Sequence, residues 1–498
     1  MVSLSPGRKC AFILIGDSQE RQGFFERVLL ILFLLSLPLV NPWVRGDGVG
    51  YYAYARAPLI EHNLDFTRDY QFANQSFREE RIGPDGMPKA AYRTRTGHLE
   101  NHFTVGPAML WSPFLLAAHA GVLLARAFGS SISADGFSAP YRYAMGLGTA
   151  LYGFLALLLS FRLAQKYVGG RAALLATLGV WGGSSLAVYM YFNPSWSHAH
   201  SAFAAALFFW YWERTRENRT VRQWVILGLT TALLLNVYYA NVMLLVVLLV
   251  EAIPLYTGAF RSEKPPAAPR AGQLVSRHLV FGAVVITFML PTFVSRWVVY
   301  GGPFETGYLS LRSFLWGSPD FLPVLFSANH GLFSWTPLLL VACVGLMLFA
   351  RRFRTPGMAF LAAAFCFYLF FTLYPDWAGI SSFGNRFFVS LTPLFIVGLA
   401  AAIDSFSGLF ARPRAALLMT SALLAVFVFW NLGLIYQWGT HLIPARGPIS
   451  FREAAYNQVT VVPRQLSAQL RSYLFRRRDM MQQLEQKDVE QMKQSPQP

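Results

Sequence analysis

A carboxylate follows directly on the first long apolar run of this chain. Asp47 sits in Arg45-Gly46-Asp47-Gly48, after Val28 to Val44, with a tyrosine cluster (Tyr51, Tyr52, Tyr54) next and a polar stretch reaching about Asn101. An acid where a first membrane helix ends is placed to act as a general base or to hold a divalent cation at a bilayer surface. Other reactive types collect in the same kind of position. The first polar stretch holds Glu61, His62, Asp65, Arg68, Asp69, His98, Glu100 and His102. Asn193 to His200 carries Ser197, His198 and His200; Ser327 to Gly331 carries His330; Asp376 and Ser381 to Phe387 carry Asn385 and Arg386. Ionisable groups near membrane depth are costly and often functional.

Each has a plainer reading. Gly46-Asp47-Gly48 is also a turn sequence after a helix. His198, His200 and His330 also suit ordinary interfacial hydrogen bonding, and Arg386 also suits snorkelling at a span end. Tyrosine and tryptophan form aromatic belts. The acids and histidines of the first loop lack HExxH or close paired-ligand spacing, which argues against a protein-only metal cage.

The elements that position these residues are membrane helices. The chain has 498 residues, 54% hydrophobic and 13% charged, against about 25% charged in soluble proteins. Apolar runs of near 20 residues, long enough to cross the hydrocarbon core, recur along most of it. This predicts an all-α polytopic membrane protein, with no separate soluble domain before about residue 440. The net charge of +17 is spread in small groups between apolar runs, as topology signals are, so nucleic acid is not an expected partner. Cys343 and Cys366 fall inside apolar runs and Cys10 stands alone, which excludes a disulfide framework or cysteine zinc site. The first apolar run lacks a small-residue cleavage site and reads as a retained anchor.

Basic groups at Arg162 to Arg171, Arg214 to Arg222, Arg261 to Arg277, Arg351 to Arg354, and Arg412 with Arg414 alternate with connections free of Lys and Arg. The positive-inside rule puts the first set in the cytoplasm, together with Arg8, Lys9, Arg21 and Arg27, and opens an external loop of about residues 45–141 at Asp47. That parity fails if Thr104 to Ala125 crosses the membrane. Gly106, Pro107 and Pro113 interrupt this segment, so it is expected to lie along the outer interface or to re-enter from that side. About eleven spans remain, at 25–44, 142–163, 171–191, 197–213, 222–237, 240–257, 278–299, 330–350, 357–374, 387–403 and 415–438; the pair around Asn236 to Asn241 is alternatively one broken helix. An odd count places the basic tail, 441–498, outside, against the sign of its charge. Its end, from about Arg464 to Lys493, reads as a surface helix, and Lys264 to Pro269 as a short proline-rich connection.

Taken in order, Gly46-Asp47-Gly48 with Tyr51-Tyr52, Asn101-His102-Phe103-Thr104-Val105-Gly106-Pro107-Ala108, Ser197-His198-Ala199, His330-Gly331-Leu332-Phe333-Ser334-Trp335-Thr336-Pro337 and Ser382-Phe383-Gly384-Asn385-Arg386-Phe387 resemble bacterial membrane glycosyltransferases of the GT-C fold, in the protein-mannosyltransferase-like and aminoarabinose-transferase-like group. The resemblance covers residues 1–440, the expected catalytic domain. It implies a sugar taken from a polyprenyl-phosphate donor and passed to a glycan, lipid or protein acceptor outside the cytoplasmic membrane. It implies a central acid early in the first external loop, the place Asp47 occupies, and juxtamembrane helices in that loop. Many such proteins carry a second acid close by; here Gly48 follows and the next acid is Glu61, which leaves a divalent cation (Mg or Mn) open.

That chemistry asks for a base on the acceptor, a stabiliser on the leaving phosphate and an apolar groove for the lipid. Asp47 suits the first role. Arg386 suits the second, because guanidinium matches phosphate with fixed donors, with His330 beside it. Tyr51, Tyr52, Glu61, His102, His198 and Asn385 are the expected substrate contacts. One displacement, with inversion, is expected because no second catalytic carboxylate is evident. The competing readings are a lipid or glycan flippase, which would show inverted repeats and a midplane charged site, and a noncatalytic assembly protein. Convergence of Asp47, His330 and Arg386 on one cavity separates them.

Overall fold

The apolar runs become helices. The computed structural model describes residues 23–73, 79–259, 271–308 and 310–494. Cys10, the basic residues Arg8, Lys9, Arg21, Arg261, Lys264 and Arg270, and the connection Lys264 to Pro269 lie outside the described residues. Among the described residues the chain is all-α, with only two isolated bridges, Ile82 with Pro88 and Arg93 with Leu99.

Helix α1 (23–36) leads into the first loop. That loop holds α2 (Asp47–Arg56), α3 (Thr67–Phe72) and α4 (Gly106–Ala127). The bundle continues with α5 (Ala139–Gln165), α6 (Gly170–Gly183), α7 (His198–Thr215), α8 (Val221–Val237), α9 (Val246–Ala259), α10 (Ala271–Phe288) and α11 (Leu290–Tyr300). Then come α12 (Phe321–Phe326), α13 (Leu332–Trp335), α14 (Leu338–Arg352), α15 (Arg354–Leu373), α16 (Thr392–Ser407) and α17 (Pro413–Gly439). The tail forms α18 (Phe451–Thr460), α19 (Val462–Phe475) and α20 (Arg477–Gln494).

Helix occupies every segment expected to span. By length and apolarity alone, seven helices among the described residues are long enough to cross a membrane. Several expected spans are broken where the sequence breaks them: Pro337 separates α13 from α14 and Pro291 sits at the start of α11, since proline supplies no N–H to the helix ladder. Around Asn236 the chain turns back. Arg219, just before α8, pairs with Glu251 of α9 at 2.5 Å, so the two helices form a hairpin and not one long broken helix.

α16 is the centre of the bundle, buried on nearly all sides, as an all-apolar helix must be. It meets α14 through two glycines. A Cβ on Gly345 would stand 2.0 Å from the Gly398 carbonyl oxygen, and one on Gly398 would stand 2.2 Å from that of Ala342. Small residues let membrane helices approach this closely, which is where dispersion contacts between them come from. Leu35, Leu249, Leu279, Val426 and Phe429 are exposed on the outside of the bundle, the surface that lipid covers.

The ends of the bundle differ. At one end sit the pairs Arg162–Glu26 (2.8 Å), Lys166–Glu213 (2.8 Å) and Arg352–Asp404 (2.9 Å). At the other lies the first loop. α4 touches that end twice: Thr104 Oγ1, just before it, donates to the Val237 carbonyl at the end of α8, and just after it the Gly136 carbonyl accepts from Tyr52 of α2. The tail is there too: Tyr473 donates to the Leu39 carbonyl at 2.8 Å and Arg477 to the Pro38 carbonyl at 2.6 Å. α4 is a continuous 22-residue helix despite Pro113, and by length and apolarity it is one of the seven that could cross a membrane, against the expectation of an interrupted, interfacial segment.

Candidate active site

Two close approaches fix where Asp47 stands. A Cβ on Gly48 would fall 2.0 Å from Ser195 Oγ, so α2 can rest on the Asn193–Ser197 turn only because Gly48 has no side chain. Trp196 Nε1 donates to the Arg45 carbonyl at 3.1 Å. Asp47 is then the first residue of α2, where the helix dipole favours negative charge. Arg386 begins the 3-10 segment Arg386–Leu391 that feeds α16. Its Nη1 donates to Asp47 Oδ2 at 2.7 Å, and its guanidinium lies 4.6 Å over the Trp196 ring, a cation–π contact. The Arg386 Nε is buried with no hydrogen-bond partner among the described residues. Apart from its bond to Asp47 and its stacking on Trp196, this guanidinium therefore carries an unsatisfied donor.

Both residues line a cavity of about 510 Å³. Tyr51, His102, His198, Tyr238 and Tyr308 line it as well, with Tyr374, Ile380 and Phe387 on an apolar side. Ser197 Oγ donates to the Tyr51 hydroxyl at 2.9 Å. Burial, reinforced by the Asp47 charge, pushes the Tyr51 hydroxyl up, so it remains a proton donor. The His102 ring packs against Tyr308 with 4.8 Å between ring centres. Burial pushes its imidazole down to about 4, with Asp47 pulling the other way, so His102 is neutral at physiological pH. The His198 ring sits 4.7 Å from that of Tyr189, and its Nδ1 has no partner among the described residues.

The other sequence candidates stand outside the lining. His330 is fully buried and stacked on Trp335 with ring centres 4.8 Å apart; Trp335 packs on Phe383 at 5.4 Å, which puts His330 a layer behind Arg386. Asn385 Nδ2 donates inward to the Trp377 carbonyl at 3.2 Å. Tyr52 is turned away, on the Gly136 carbonyl at 2.6 Å. Glu61 pairs with the buried Arg56 at 2.8 Å and with Arg68, and Arg56 also grips Asp69 through two 2.7 Å bonds; these pairs hold the loop together. His200 is buried between Trp111 and Tyr152, with ring centres 4.9 and 5.6 Å away.

A resident divalent cation does not fit these residues. No group of three or more His, Cys, Asp or Glu with metal-holding placement occurs among the described residues. Asp47 already faces a guanidinium, whereas hard cations want several oxygen ligands.

Sequence reasoning missed Arg296. It is buried in α11, and its guanidinium donates to the carbonyls of Asn101 (2.9 Å), His102 (2.8 Å) and Phe103 (2.6 Å) and to the Tyr239 hydroxyl (2.6 Å). It holds the backbone that presents His102. The available signal was an arginine inside the apolar segment 278–299. Also missed were Arg45, Arg81, Tyr308 and the tail residues His441, Arg446 and Asp488, all of which line the cavity.

No family model matches the sequence, and no curated protein matches it. Solved structures do match, among them the crystal structure of ArnT from Cupriavidus metallidurans in the apo state, at 14% sequence identity and a TM-score of 0.45, covering 85% of this chain and 72% of that one.

Proposed function

We propose that this protein is a GT-C-type bacterial membrane glycosyltransferase that moves a sugar from a polyprenyl-phosphate donor to an acceptor at the outer face of the cytoplasmic membrane. The observation that carries the reading is the meeting of Asp47 and Arg386 in one cavity at the loop end of the bundle. The motif resemblance supports it independently of that geometry.

In this reading Asp47 takes the proton from the acceptor hydroxyl as its oxygen attacks the anomeric carbon. The bond from that carbon to the donor phosphate oxygen breaks, and its electron pair stays on the phosphate. Arg386 stabilises that charge with its guanidinium from a position fixed before the donor arrives. Tyr51, His102 and His198 contact sugar or acceptor. Tyr374, Ile380 and Phe387 form the start of the path for the isoprenoid chain. A single displacement inverts the anomeric carbon. His330, Asn385, Tyr52 and Glu61 act by supporting these residues from behind.

The test is release of polyprenyl phosphate from a panel of polyprenyl-phosphate sugars by the purified protein. The proposal expects release that depends on Asp47 and on an acceptor. Movement of labelled lipid across the bilayer with no release, in parent and Asp47→Asn alike, would establish a flippase instead.

A further inference from the structure

A second ion cluster lines the same cavity. Asp488 of α20 accepts from Arg45 Nη1 at 2.9 Å through Oδ2, and its Oδ1 meets His441 Nε2 at 2.5 Å. Arg446 and Glu485 line the same wall. Burial alone would raise the Asp488 carboxyl, but the His441 hydrogen bond and the charges of Arg45 and Arg446 hold it below the ordinary range. His441 has a φ of 59° and a buried Nδ1 with no partner among the described residues, a strained non-glycine backbone of the kind that collects at binding sites.

The helix that brings this carboxylate is fastened at its start, where Arg477 donates to the Pro38 carbonyl at 2.6 Å and to the Val40 carbonyl. α20 reads Arg-Arg-Asp-Met-Met-Gln-Gln-Leu-Glu-Gln-Lys-Asp-Val-Glu-Gln-Met-Lys-Gln, and Met481 is its buried apolar anchor among the described side chains. Beyond that turn, Leu484 and Val489 line the cavity on either side of Asp488, and Asp488 places the carboxylate of this helix between Arg45 and His441.

We propose that Arg45, His441 and Arg446 form a second anion subsite in the cavity, which takes a phosphate-type anion, and that Asp488 fills it as a built-in substitute until a ligand displaces the Asp488 end of α20. Guanidinium pairs carboxylate and phosphate in the same geometry, so two oxygens of a phosphate replace the two of Asp488. As part of the same chain, Asp488 competes at an effective concentration on the order of mM, which keeps weak free anions out. The proposal rests on the glycosyltransferase reading only for the identity of the natural ligand. A soluble phosphoryl group and a lipid headgroup present the same chemistry.

The experiment titrates inorganic phosphate into the full-length protein in neutral-lipid nanodiscs, followed by the fluorescence of tryptophans, of which Trp196 and Trp438 line the cavity. Asp488→Asn should bind phosphate about tenfold more tightly than the parent. Adding Arg45→Gln should remove that gain, whereas adding Arg386→Gln should leave it. A gain competed away in phosphatidylglycerol nanodiscs supports a headgroup as ligand, and one that persists there supports a soluble phosphate. No gain, or a gain that survives Arg45→Gln, overturns the proposal. If Asp488→Asn does not fold, the parent decides: saturating phosphate should speed proteolysis within α20 several-fold, and an unchanged rate overturns it. Binding is the readout throughout, so absence of transferase activity would sink the function proposed above and leave this subsite standing.

Discussion

Asp47 Oδ2 and Arg386 Nη1 stand 2.7 Å apart although 339 residues separate them in the chain. One comes from the first turn of α2, the other from the entry to α16. In the proposed reaction each occupies the other until substrate arrives, so their losses should look different in kinetics.

Asp47→Asn removes the base but leaves Arg386 in place. Turnover should fall by about 10²–10⁴-fold, with the donor KM unchanged or lower because Arg386 is freed for phosphate. Steady-state transfer assays on protein with parental melting temperature check this; near-normal kcat would remove Asp47 from the chemistry.

Arg386→Ala should lower kcat/KM for the donor by about 10²–10³-fold. Arg386→Lys keeps a charge but not the planar fork, so it should recover only part of that loss. Full recovery by lysine would mean that charge alone matters at this position.

Arg296→Met should unfasten the turn that carries His102. The carbonyls of Asn101, His102 and Phe103 lose their shared donor, at about 1–3 kcal/mol for each left unsatisfied. A lower melting temperature and faster amide exchange across 101–103 are the expected signs. An unchanged melting temperature would show that the turn does not need its arginine.

His102 makes stability fall with acid. Its imidazole sits at about 4 in the folded protein, against the usual 6.5, so between those values the unfolded chain binds a proton that the folded one refuses. The contribution is fully present above about pH 6.5 and is lost as pH drops towards 4. His102→Gln should make the fall in melting temperature between pH 6.5 and 4 shallower than in the parent, on top of a constant offset from the lost ring packing on Phe103 and Tyr308. Parallel curves for the two proteins would contradict the assignment.

Gly48→Ala should displace α2, because its Cβ would meet Ser195 Oγ at 2.0 Å, while Gly169→Ala meets nothing within 4 Å. The first substitution should reduce both stability and transfer, and the second neither. Equal behaviour of the two would argue that α2 does not depend on this contact.

The membrane class and the helical segments are legible in the amino-acid sequence, because they follow from one-dimensional quantities: apolar run length and the spacing of charged residues. The prolines and glycine of α4 misled, because Gly106 and Pro107 fall in its first turn, where proline is tolerated, and the helix runs on through Pro113. Asp47 and Arg386 are legible as chemical types at helix starts. Which residues share a cavity is not. His330 and Asn385 occur in motifs as suggestive as that of Arg386, yet they point into the packing behind it, and Tyr52 turns away from the cavity into the loop core one residue after Tyr51 turns in. Helix rotation decides this, and it is set by contacts between distant segments such as Gly345 against Gly398 and Gly48 against Ser195. The same holds for Asp488, which meets Arg45 from 443 residues away. Composition and local pattern determine what each segment is, whereas three-dimensional packing alone selects which side chains face one another.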